Sequence, residues 1–188
     1  LVTPPLFYGL MENAKRLAAG IDADRWAEQM GALFAPFAAV ASENPLAAQH
    51  DKAFTAADLT TVAPGNRYVA SPYPQRLVAR DQVNQSAALV VISTGLADEL
   101  GISPSARVYL HGQAVAGEPP VTLRAELGQA PSAGLALNRA LDRAACVADD
   151  IAYFDFYSCF PIAVSNAIEA IDLSGDDPRG LTITGGLP

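Results

Sequence analysis

Cysteine, histidine and basic residues are scarce in this 188-residue chain: two Cys, two His, and twelve Lys plus Arg against twenty Asp plus Glu. Two cysteines give neither a disulfide framework nor the paired spacing of a metal site, so no metal is expected and a reducing cytoplasm is the default expectation. The net charge of −8 comes with no basic cluster able to neutralise a row of phosphates, which argues against a nucleic-acid partner. His50 and His111 have no Ser, Cys or carboxylate at a recognisable catalytic spacing and read as surface or satisfied imidazoles. No apolar run reaches the roughly 18 residues that span a bilayer. Internal repeats and low-complexity tracts are also missing.

What is present is aliphatic bulk. Half the chain (51%) is hydrophobic, ample for the core of one medium domain or of a domain with an appendage. Organisation changes near residue 62. Before it, residues 6–19 read as an amphipathic helix stopped by Gly20, and Asp22 as the N-cap of a second helix through Trp26, Met30, Leu33 and Phe34. Pro36 should kink or split that helix, because its ring removes a hydrogen bond and collides with the preceding turn. Residues 43–61 show little period, although Thr55 suits the cap of a short turn at Ala56-Ala57-Asp58.

After Pro64 the pattern alternates between strand and helix. The unbroken apolar run at residues 87–92 predicts a central strand covered on both faces. Thr94 would cap a helix ended by Gly101, residues 107–116 would form the next strand, and Ser132 would open a helix with Leu137, Ala140, Leu141, Ala144 and Ala145 on one face. Residues 151–156 and 181–184 supply two further strands. The expected fold class is α/β: a mixed sheet with covering helices, preceded by a helical segment at 1–62, with the sheet-bearing part at 63–188.

The most informative stretch is Asp155-Phe156-Tyr157-Ser158-Cys159-Phe160-Pro161, where a predicted strand runs into a helix carrying Val164, Ala167, Ile168 and Ile171 on one face. Such corners project side chains beyond the carboxyl end of a strand, where ligands gather in open α/β sheets. Tyr157-Ser158-Cys159-Phe160 resembles the thiolase corner motif Asn-Glu-Ala-Phe, and more closely the His-Asp-Cys-Phe of the sterol-carrier-protein type. Residues 79–88, which include Asp81 and Asn84, are similar to the thiolase segment Asn-Ala-Ser-Gly-Ile-Asn-Asp-Gly-Ala-Ala. Leu96 to Gly101, Ala114-Val115-Ala116-Gly117 and Gly185-Gly186 follow in the thiolase order, over roughly half of a typical subunit. Among thiolases, the likeness is to acetyl-CoA acetyltransferase-like members with Tyr-Ser-Cys-Phe-Pro.

The resemblance implies a fragment: residues 1–62 as part of the loop domain that covers coenzyme A, and 63–188 as an incomplete C-terminal half. It implies an acyl-CoA acyltransferase acting by thiolysis or Claisen condensation, with coenzyme A as substrate rather than cofactor, in a homodimer or higher oligomer. In such enzymes one cysteine takes up the acyl group, a second moves the α-proton, and preorganised donors stabilise the thioester oxyanion. Neither Cys146 nor Cys159 aligns with those cysteines, so the isolated chain is expected to have no turnover. Tyr157 falls where thiolases hold a catalytic water and, with Ser158, is the implied catalytic candidate; Asp81, Asn84, Gly117, Phe160, Gly185 and Gly186 are the implied substrate contacts. The Tyr157 hydroxyl is expected near the glycine pair. Ser158 and Asp81 differ in chemistry from the family residues. Two rivals stay open: a thiolase-fold aldolase that cleaves steroid side-chain CoA esters with a small acyl-CoA-binding partner protein, and a non-catalytic acyl-CoA or lipid binder. Tyr157 alternatively reads as a core aromatic, and Cys159 as a packed thiol whose pKa would fall if the helix N-terminus exposed it.

Overall fold

The computed structural model of the chain describes residues 3–79 and 82–186. Helix α1 (Pro4–Ala18) opens on two prolines, whose fixed φ suits a first turn, and is closed by Gly20 in the left-handed region. Helix α2 (Ala23–Glu43) is capped by the Asp22 carboxylate, which accepts from the Arg25 N–H at 2.9 Å.

Of the kink or split expected at Pro36, the split does not occur: α2 runs through the proline. An interior proline costs about 3 kcal/mol, while each buried Phe side chain contributes about 1.5–3 kcal/mol. Phe34 and Phe37 flank the proline on the buried face, with Ala38 and Ala41 beyond them, so burial outweighs the lost hydrogen bond. Helix α3 (Ala56–Thr60) has the expected cap: Thr55 Oγ1 accepts from the Asp58 N–H while the Asp58 carboxylate accepts from the Thr55 N–H at 3.0 Å.

A short antiparallel hairpin follows, β1 (Tyr68–Ala70) and β2 (Tyr73–Pro74), the one sheet among the described residues. Buried Asn66 anchors it, donating to the Asp58, Leu59 and Thr61 carbonyls and accepting from the Arg76 N–H. Helices α4 (Thr94–Glu99), α5 (Pro131–Ala144) and α6 (Pro161–Glu169) complete the regular elements, joined by 3₁₀ turns. Helix α4 ends before Gly101 as expected, but its cap is Ser93, one residue before Thr94. The α5 cap also differs from expectation: Ser132 lies inside the helix, and the Glu118 carboxylate accepts from the N–H groups of Ser132 and Ala133.

The predicted strands are the main correction. Residues 87–92, 107–116, 151–156 and 181–184 belong to no strand. Rather than lying at the centre of a sheet, Leu89, Val90 and Val91 are 82–86% exposed, and Val108 is 98% exposed. The apolar composition gives these segments a strand tendency, but a strand forms only beside a neighbour that takes up its backbone groups, and no neighbour of that kind is found among the described residues.

The core draws on both sides of residue 62. Met11, Trp26, Met30, Phe34, Phe37 and Leu59 pack with Tyr73, Leu77, Phe160, Ile162, Val164, Ile168 and Leu181. Helix α6 is tied to α1 by Lys15 Nζ, which donates to Asn166 Oδ1 at 2.6 Å and to Glu169 Oε2 at 2.7 Å. At the centre sits Glu12, 1% exposed, whose carboxylate accepts from Trp26 Nε1 at 2.9 Å and from the Tyr73 hydroxyl at 2.7 Å. Burial raises the Glu12 pKa, and the hydrogen bonds from Tyr73, Trp26 and the Ile162 backbone oppose that rise only in part.

Candidate functional site

The corner at residues 157–160 is built by local hydrogen bonds. The Ser158 hydroxyl accepts from the Phe160 N–H at 3.0 Å and donates to the Phe160 carbonyl at 2.8 Å, which turns the chain into α6. The Cys159 carbonyl accepts from the Ala79 N–H at 3.1 Å, fixing the corner to the segment after the hairpin. The Phe160 ring, buried, stacks on Tyr8 at 4.2 Å between ring centres and meets Tyr73 at 5.4 Å.

A groove of about 790 Å³ opens beside this corner. Its apolar wall comes from Pro4, Pro5, Val69, Val78 and Phe160, and its polar edge from Thr3, Arg67, Gln75, Gln82, Tyr157 and Cys159. The volume lies within the range of about 300–1,000 Å³ usual for small-molecule sites. Tyr157 is 64% exposed, and its hydroxyl lies 3.5 Å from Cys159 Sγ. Neither residue is the packed core group of its alternative reading; Cys159 is exposed, while Cys146 is half-buried. The contact with Cys159, followed by burial, pushes the Tyr157 pKa above its ordinary value. The hydroxyl therefore keeps its proton at neutral pH and is able to donate a hydrogen bond.

Of the other sequence-derived site residues, those that are described lie away from the groove lining. Asn84 and Gly117 are exposed and outside the groove lining, and Asp81 lies outside the described residues. Gly185 is packed against α2, where an added Cβ would sit 2.5 Å from the Ala41 backbone, and its N–H donates to Thr182 Oγ1. Gly185 and Gly186 both have positive φ, and neither lines the groove; the Tyr157 hydroxyl has Cys159 as its partner. The close approach that requires glycine at 185 is thus to a helix of the same chain.

Asp155 holds the residues that lead into the glycine pair. Its carboxylate accepts from the hydroxyls of Thr182 and Thr184 and from the N–H groups of Ile183 and Thr184, at 2.9–3.2 Å. The Phe156 N–H adds a bond to the Leu181 carbonyl at 2.9 Å, so a side chain holds 181–184 beside 151–156 where a strand ladder was expected. Burial works to raise the Asp155 pKa, but the Thr182, Thr184 and Ile183 donors win and hold it below the usual carboxylate range. A depressed folded pKa contributes stability above the unfolded value that is lost as pH falls through the folded one. Asp155→Asn should therefore cost about 1 kcal/mol near pH 7, discounted for exposure, and the gap in melting temperature from wild type should close as pH falls below the usual carboxylate range. A gap that widens on acidification would contradict this.

Arg67, Gln75 and Gln82 were not among the expected site residues. The Pro64-Gly65-Asn66 turn and the Pro72 and Pro74 pair are the sequence signals that could have marked the hairpin carrying the first two. Among the described residues no group of His, Cys, Asp and Glu has metal-binding geometry. No helix among them is long and apolar enough to cross a membrane.

No protein-family model matches the chain, and no curated protein matches it. Among solved structures, a monomeric SCP2-thiolase-like protein type 1 from Mycobacterium smegmatis is similar at 44% identity and a TM-score of 0.94, covering 100% of this chain and 41% of that one. The Ltp2-ChsH2(DUF35) aldolase has the same fold at 17% identity and a TM-score of 0.69, covering 96% of this chain and 49% of that one. This chain thus spans less than half the length of either protein. It has a thiolase-like fold, and its neighbours in that fold include an enzyme.

Proposed function

We propose that this thiolase-like chain handles acyl-CoA thioesters in the groove beside Tyr157, as part of an acyltransferase subunit longer than these 188 residues. The observation that carries the reading is the exposed Tyr157 hydroxyl on a groove with an apolar wall, at the corner that resembles the thiolase water-holding position. A hydroxyl that stays protonated orients a water or donates to the oxyanion that develops on a thioester carbonyl. The acyl-accepting cysteine and the base then come from the rest of the subunit. That remainder would also supply neighbours for residues 87–92 and 107–116, whose exposed Leu89, Val90, Val91, Val108 and Leu110 favour completion by other strands.

Replacing Tyr157 by Phe in the intact protein should lower kcat by about tenfold or more with little change in melting temperature. An unchanged rate would remove Tyr157 from the chemistry. The monomeric state named for the Mycobacterium smegmatis protein favours a single-subunit arrangement over the dimer that the thiolase resemblance implies.

A second reading has its own support. Cys159 does not align with a thiolase nucleophile, and Tyr157 is a proton-bearing group at the groove, as a tyrosine-based aldolase of this fold would need. Release of a carbonyl fragment from a β-hydroxyacyl-CoA ester, with no dependence on free coenzyme A, would favour it over thiolysis.

A further inference from the structure

We propose that the groove selects an anionic amphiphile, with Arg67 as the group that takes the anion. The inference rests on the acyl-thioester reading for its apolar chain and adds the charge requirement. Arg67 is the charged side chain among the described residues lining the groove; Gln75, Gln82, Thr3, Tyr157 and Cys159 are neutral polar neighbours, and Val69, Val78, Phe160, Pro4 and Pro5 are apolar. Every other arginine of α1 and of the hairpin region is engaged: Arg16 donates to the Ile21 carbonyl and Arg76 to the Asp58 carbonyl while lying over the Phe54 ring. The backbone of Arg67 is held by its own hairpin, the carbonyl accepting from the Gln75 N–H at 2.9 Å, while its guanidinium has no side-chain or carbonyl partner among the described residues.

Arg25, Lys52 and Arg139 likewise have no side-chain partner among the described residues, but Arg67 is the one of these cations that lines the groove, so on a protein of net charge −8 it makes this groove locally favourable to an anion. The apolar wall beside it fits a hydrocarbon chain attached to that anion. The planar fork of arginine suits either a carboxylate or a phosphate. The shared chemistry is an anion at one end of an apolar chain, and its source is either a carboxylate or the phosphates of coenzyme A.

Isothermal titration of the wild-type chain, Arg67→Gln and Arg67→Lys with decanoate, decanoyl-CoA and coenzyme A tests this. The expected result is that chain-bearing probes bind wild type and that Arg67→Gln weakens them by about tenfold to a hundredfold. Arg67→Lys should retain more affinity than Arg67→Gln, and all three proteins should melt alike because the side chain is exposed. Arg67 dependence shared by decanoate and decanoyl-CoA assigns a general anion site that takes a carboxylate or a phosphate; dependence limited to decanoyl-CoA and coenzyme A assigns it to phosphate. Decanoate binding through Arg67 without decanoyl-CoA binding keeps the anion site and sinks the acyl-CoA reading. Decanoyl-CoA binding that Arg67→Gln leaves unchanged overturns the anion site alone, and no binding of either chain-bearing probe overturns both.

Discussion

Glu12→Ala is expected to destabilise the chain by about 2–6 kcal/mol, because it strands two buried donors at about 1–3 kcal/mol each. Those donors are the Trp26 indole N–H and the Tyr73 hydroxyl, on α2 and β2, and both now end on one carboxylate of α1. Three elements thus meet at one side chain, and a loss of this size is a large share of the 5–15 kcal/mol typical of a folded domain. Glu12→Gln retains one acceptor oxygen and should cost less. The sign of the pH dependence also separates the variants. A folded pKa raised by burial contributes stability below the unfolded carboxylate value and loses it as pH rises through the folded value. Wild type should therefore gain relative to Glu12→Gln on acidification toward pH 4.5. Urea denaturation of the three proteins at acidic and neutral pH checks both points, and a cost under about 1 kcal/mol for Glu12→Ala would show the network to be dispensable.

Gly185→Ala should cost about 2–5 kcal/mol, the sum of about 1–2 for a side chain at positive φ and about 1–3 for overpacking. The new Cβ would lie 2.5 Å from the Ala41 N and Cα, and helix backbone yields little. The φ of +94° adds strain of its own. The turn cannot simply swing away, since Asn44 Nδ2 donates to the Thr184 carbonyl at 2.8 Å and Asp155 grips the residues before it. The loss should appear in thermal unfolding, with acyl-CoA affinity of the folded protein nearly preserved, because Gly185 does not line the groove. A stable variant with lost affinity would return the glycine pair to the substrate site.

The helical frame was legible because its signals are local. Asp22 and Thr55 cap what they should cap, and the glycines at 20 and 101 follow the helices they end. The apolar face of α6 likewise shows in the spacing of Val164 and Ile168. Strand pairing was not legible, because an apolar run such as 87–92 reports a preference for burial and cannot report whether a neighbour is there to pair with. The corner at 157–160 was found through its resemblance to a thiolase motif, and that motif brought Tyr157 and Phe160 to the groove but not Gly185. Arg67 was not legible as a site residue because its place in the groove depends on the hairpin that carries it, which no residue spacing encodes.

The groove assignment is tested most directly by the alkylation of Cys159 with iodoacetamide, followed residue by residue by mass spectrometry while acetoacetyl-CoA is titrated. Cys159 is exposed and lines the groove, and half-buried Cys146, whose Sγ faces the Leu141 carbonyl beyond α5, is the internal control. An acyl-CoA thioester seated in the groove should slow the modification of Cys159 saturably and leave Cys146 unchanged. A Cys159 rate that stays constant at every ligand concentration would contradict the central claim.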